Sequence, residues 1–189
     1  MPSSVKKKKR YGRDEWLRCA ADIIASEGGA HISIDNLCAK LGVTKGSFYA
    51  HFADRKDFVG QFVQRWSQLS TQSVINEINK LRDEPAEARL LALMKYLRGL
   101  KTKRVEVALR AWATNDSVIA KGIRKTDEKR YDYIRQIFHQ MGFRGADLEV
   151  RTRIFVLYNS GSMSTRLPRS RLSGEEELKR RHAFFCRKP

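Results

Sequence analysis

Apolar side chains recur at three- and four-residue spacing along most of the chain, and no stretch alternates with period two. The pattern predicts an all-α protein of about nine helices. A first helix is expected over residues 11–27, with Trp16, Ala20 and Ile23 or Ile24 facing inward and Gly28-Gly29 as its stop. Ser33 is placed to cap a second helix carrying Ile34, Leu37 and Leu41, which Gly42 breaks. Thr44 is placed to cap a short third helix ending near Ala50, and Asp54 to cap a fourth. That fourth helix keeps Phe58, Phe62, Trp66, Leu69, Ile75, Ile78 and Leu81 on one period, and from Asp54 to Leu81 it would span about 40 Å at ~1.5 Å per residue.

Further along, Pro85 is expected in the first turn of a fifth helix through Leu90, Met94, Leu97 and Leu100. A sixth covers 105–113. A seventh runs over 117–140, with Ile119, Ile123, Tyr131, Ile134 and Phe138 inward and Gly142 as its end. An eighth is expected from Asp147 to about Thr165. Ser173 with Glu176 then makes a capping-box start for a ninth, whose acids come early and cations late, as the helix dipole favours. The order predicts a polar arm (1–10), a small helical head (11–57) and a larger helical body (58–189).

The stretch from Ser33 to Phe58, SIDNLCAKLGVTKGSFYAHFADRKDF, reads as helix, tight turn and short helix, the order a helix-turn-helix requires. Small Cys38 and Ala39 let two helices approach, and Leu37, Leu41, Val43 and Phe48 can form the seam between them. Thr44, Lys45, Ser47, Tyr49 and His51 are then left outward. Their hydroxyls, ammonium and imidazole suit phosphate oxygens and base edges in a major groove. An ordinary helical hairpin with a polar surface is the plainer reading of the same residues.

The segment GVTKGSFYAHFADRKDF also resembles the recognition segment of the TetR (tetracycline-repressor-like) family of transcriptional regulators. The resemblance is detailed over residues 11–60 and extends to the whole chain as a layout. It implies that Thr44 caps the recognition helix and touches phosphate, that Lys45 and Ser47 face bases, and that Tyr49 sets its hydroxyl on a phosphate. It further implies that His51 reads a base or phosphate, that Phe52 is core and that Ser33 aims its helix's amino end at the backbone. Arg55 stands where the family usually has lysine, so a phosphate contact there would have different geometry. By the same resemblance, helices five to eight would surround an effector pocket, with Trp66, Tyr96, Trp112 and Tyr131 as candidate walls. The last two helices would build a homodimer, with Tyr158, Gly161, Leu178 and Phe185 as candidate interface. The implied protein is a repressor on a palindromic operator in double-stranded DNA, released by a small-molecule effector.

Charge adds to this picture. The chain of 189 residues has 38 Lys and Arg against 21 Asp and Glu, a formal charge of +17, which predicts attraction to polyanions. The first 57 residues hold eleven cations and seven acids, +4, leaving +13 for the rest. The excess therefore lies mostly outside the head. It is either a solvated surface, an attraction for anionic ligands or long-range steering to DNA. A non-sequence-specific architectural DNA-binding protein is the alternative that charge alone would support.

Other classes lack their signals. No paired acid–base spacing, phosphate loop or nucleophile motif is visible, so an enzyme is not expected. Cys19, Cys38 and Cys186 form no C-x-x-C pair and the four histidines no H-x-x-x-H pair, so neither metal nor cofactor is expected. No secretory leader and no apolar run of ~18 residues is present, which points to a cytoplasmic protein without membrane association.

Overall fold

The computed structural model describes residues 11–29, 32–100, 102–161, 168 and 170–188. The expected basic arm at 1–10 lies outside them. Among the described residues there are nine helices and no strand. Helices α1 (Arg13–Glu27), α2 (Ile34–Leu41) and α3 (Lys45–Tyr49) form the head. The long α4 begins as Arg55–Ser67, passes through a π turn at Gln68–Gln72 and ends as Ser73–Asn79. The body adds α5 (Ala86–Gly99), α6 (Lys103–Trp112), α7 (Ser117–Gln140), α8 (Gly145–Gly161) and α9 (Gly174–Cys186).

The starts follow local chemistry. Ser33, Asp54, Asp116 and Ser173 each accept a backbone N–H from the first turn of the helix they precede. Asp54 Oδ1 accepts from Asp57 N at 2.7 Å, and Asp57 Oδ2 in turn accepts from Ala53 N at 3.0 Å. Two expected starts differ. Thr44 stands at the N-cap of α3 but its hydroxyl makes no capping bond. Pro85 is itself the N-cap of α5, with an extended ψ of 144°, rather than part of its first turn.

Two apolar clusters form the interior. The first joins the head to the start of the body: Trp16, Phe48, Phe52 and Phe58 pack edge-on or tilted at 4.9–6.5 Å, and Phe62, Trp66, Leu109 and Ile119 continue the same cluster. Truncating a fully buried ring such as Phe48 in such a core costs about 3–5 kcal/mol. The second cluster centres on Leu90, Ile137, Phe138, Phe155, Leu178 and Phe185. Helix α7 runs along both α4 and α8 and so takes part in both clusters.

The π turn changes what α4 presents. One regular period would put Leu69 inward after Trp66. The wider i→i+5 turn shifts the register, leaving Leu69 45% exposed and burying Ser70 and Thr71 to 2%. A similar revision applies on α7, where Tyr133 rather than Tyr131 joins the core.

Candidate nucleic-acid interface and effector cavity

Helices α2 and α3 meet through Gly42, whose φ of 65° and ψ of 38° lie in the left-handed region that glycine adopts without cost. Gly42 N and Val43 N close the turn on Ala39 O and Cys38 O at 3.2 and 3.0 Å. Leu37 and Phe48, both at 0% exposure, lock the two helices to α1. Thr44, Lys45 and Tyr49 are left outward and Ser47 half-exposed, all on one short helix. Tyr49 is 55% exposed and stands edge-on to Phe48 at 5.4 Å, so the core ring fixes where its hydroxyl points.

Four of the expected contact residues, Lys45, Ser33, His51 and Arg55, also have partners within the chain. Lys45 Nζ donates to Asp35 Oδ1 at 2.8 Å across the turn, and this bond pushes the lysine's pKa up. Both side chains are exposed, so the pair is held only weakly. Ser33 Oγ accepts from Asn36 N at 3.1 Å, so its hydroxyl caps α2. His51 Nε2 is 2.8 Å from Tyr11 O, and Arg13 Nη2 donates to His51 O at 2.9 Å; the imidazole ties the start of α1 to the end of α3. Arg55 turns toward the body, 5.5 Å over the Trp112 ring and 3.9 Å from Asp116. Exposed Lys56, next to it in sequence, was not singled out by sequence reasoning.

Between the two apolar clusters lies a partly buried polar belt. The Glu106 carboxylate, with 2% of its side chain exposed, accepts from Arg130 at 2.7 and 3.0 Å and from Arg110 at 2.8 and 3.1 Å. Burial alone would raise its pKa, but the two guanidiniums outweigh this and hold it below the ordinary carboxylate range. Arg130 also donates to Thr71 Oγ1 at 2.8 Å and to Ser70 Oγ at 3.2 Å, the two hydroxyls turned inward by the π turn. Arg110 completes the belt with a two-point pair to Asp127 at 2.7 and 2.8 Å. Thr126 Oγ1 donates to Ser67 Oγ at 2.9 Å below it.

A cavity of about 160 Å³ opens beside this belt. Its walls come from the π turn of α4, from α5 and α6, and from α7, α8 and α9. None of the four aromatic residues expected as walls is among the lining side chains. Trp66 is core under Arg130, Tyr96 is 39% exposed, Trp112 packs against the head at Gly29, and the Tyr131 hydroxyl bonds Glu149. Helical period placed the aromatics; the π turn, which no period shows, turned the lining side of α4 toward Ser70, Thr71 and Val74. One signal was available in the sequence: Glu106 lies three residues before Leu109 and four before Arg110, an acid on an inward face with its cation one turn on.

The expected dimer residues also divide. Leu178 and Phe185 are buried at 0% and 4%, with Phe185 5.1 Å from Phe155 and 6.0 Å from Phe138, so they finish the protomer's own core. Tyr158 is 39% exposed but lines the cavity. The surroundings of Gly161 lie outside the described residues. Val150, Ile154 and Leu157 are exposed apolar side chains of α8 at one-turn and two-turn spacing, and Phe184 of α9 is 64% exposed.

No family model and no curated protein matches the sequence. Solved structures match the fold closely. A TetR-family transcriptional regulator from Agrobacterium tumefaciens superposes with a TM-score of 0.67 at 19% identity, covering 80% of this chain and 85% of its own. This chain has the TetR fold. AibR, solved with isovaleryl coenzyme A and operator DNA, gives a TM-score of 0.69 at 20% identity over 91% of this chain and 96% of its own. A candidate regulator from Saccharomonospora viridis, solved with choline, gives 0.74 at 18% over 92% and 94%. The TetR fold thus spans head and body alike. Among the described residues no helix is long and apolar enough to cross a membrane, and no cluster of metal-ligating side chains occurs.

Proposed function

We propose that the chain is a sequence-specific DNA-binding transcriptional regulator of the TetR type, a homodimeric repressor released by a small-molecule effector. The observation that carries this reading is the helix-turn-helix: α2, the left-handed turn at Gly42, and α3 with its outward Thr44, Lys45, Ser47 and Tyr49. One short helix makes too few contacts for specific affinity, so two heads must act on a two-fold site. The apolar stripe Val150, Ile154, Leu157 and Phe184 supports a self-complementary bundle of α8 and α9 with their copies.

The cavity is the proposed effector site. It borders the belt that joins α6, α7 and the π turn of α4, and the far end of α6 carries Trp112 against the head. A ligand that reorders the belt therefore acts on the two elements that seat the head. Neighbours of this fold hold ligands as different as choline and isovaleryl coenzyme A, so the lining of this chain must decide its own effector.

Selection of bound duplexes from random DNA tests the reading. A recurring palindrome is expected. Uniform recovery of unrelated sequences would instead favour an architectural protein driven by the +17 charge.

A further inference from the structure

We infer that the cavity takes a small amphiphilic anion, with an apolar tail of about six carbons and a negatively charged head held by Arg181 and Lys103. The inference rests on the reading of this cavity as the effector site. Its apolar wall is formed by Val74, Leu93, Met94, Leu97, Ile134 and Phe155. A dry cavity of about 150 Å³ admits one benzene-sized group, so the 160 Å³ here fits a short chain or a ring and not a long acyl group.

The sign of the head group follows from which charges are already satisfied. Among the described lining residues Glu106 is the single carboxylate, against Arg98, Lys103, Arg130 and Arg181. Its Oε1 accepts three guanidinium N–H bonds and its Oε2 one, so two cations already face its single charge. A cationic ligand would have to displace one of these guanidiniums from a buried carboxylate, which costs more than it returns. The cations, by contrast, have unused donors. Arg181 is ion-paired to Glu177, but at 3.6 Å the contact is too long for a hydrogen bond, and Arg181 Nε is buried with no hydrogen-bond partner among the described residues. The guanidinium lies 4.9 Å over the Tyr158 ring, which fixes its plane at the cavity wall. Lys103 Nζ spends one of its three donors on Arg98 O at 3.1 Å. A carboxylate or phosphate beside them would fill these donors with charge-assisted bonds while its tail packs on the apolar wall.

The test is calorimetric titration of the full chain at neutral pH with hexanoate, hexyl phosphate, hexanol and hexylammonium, paired with operator binding. At least one of the two anions is expected to bind about tenfold tighter than hexanol, with hexylammonium weakest. The two anionic arms tell a carboxylate from a phosphate head. Arg181→Gln should remove most of that preference and leave hexanol affinity unchanged; Lys103→Gln provides the same readout should the first variant unfold. Hexanol or hexylammonium binding as tightly as both anions, no binding by any of the four, or anion affinity untouched in both variants would overturn the inference. Anion binding that leaves operator affinity unchanged would uphold the ligand class and remove the effector role.

Discussion

Arg130 grips Glu106 through two parallel bonds of 2.7 and 3.0 Å, and it also donates to the hydroxyls of Ser70 and Thr71 on the π turn of α4. One guanidinium thus ties α6, α7 and α4 together between the two apolar clusters. Removing one partner of a buried pair leaves the other charged and unpaired, which costs about 3–5 kcal/mol. Glu106→Ala should therefore destabilise the protein by about that amount in urea unfolding.

The same carboxylate sets a pH dependence. Its pKa in the folded chain lies below the ordinary carboxylate value. Its contribution is complete above the unfolded-state value and disappears as pH falls through the lower folded one. Stability measured from neutral to acid pH should fall on the acid side of the ordinary carboxylate range. Glu106→Gln should flatten that slope; an unchanged slope would mean that Glu106 does not contribute to it.

On the DNA face, Lys45→Ala and Tyr49→Phe should each weaken operator binding by about 5-fold to 100-fold with folding intact. Asp35→Asn frees Lys45 from its 2.8 Å partner and should not weaken binding. Gel-shift titrations in which both first variants bind as the wild type does would exclude α3 as the recognition helix.

For assembly, Leu157→Glu should weaken the dimer about 100-fold in sedimentation while the protomer stays folded. Leu178→Ala should do the reverse, destabilising the protomer by about 2–5 kcal/mol as a buried leucine does. Loss of the dimer in the second variant alone would return the interface to Leu178.

Gly122 on α7 offers a test of packing. A Cβ built there would sit 2.2 Å from Val63 Cγ1 of α4, too close for any real contact. Gly122→Ala should cost about 1–3 kcal/mol, as overpacked sites do. Val63→Ala in the same chain should return part of that, read as a double-mutant cycle.

Much of the fold was legible in the sequence because it is fixed locally. Period set which faces of α1, α2 and α7 pack. Ser33, Asp54 and Ser173 marked helix starts through bonds only three residues long. Gly42 marked the turn because only its backbone adopts that conformation freely. The seam of Leu37 and Phe48 followed from spacing alone. What tertiary structure decided were contacts between residues far apart in the chain. Whether His51 faces solvent depends on Tyr11, forty residues earlier, and whether Arg55 faces outward depends on Trp112 and Asp116. Leu178 and Phe185 were expected at the interface, and the presence of Phe138 and Phe155 opposite made them core. The cavity was the least legible, since a single π turn shifts the register of α4 and puts Ser70 and Thr71 where a regular period places Leu69. A helix's period follows from its own side chains, but the partner of the shifted turn, Arg130, lies about sixty residues further along the chain.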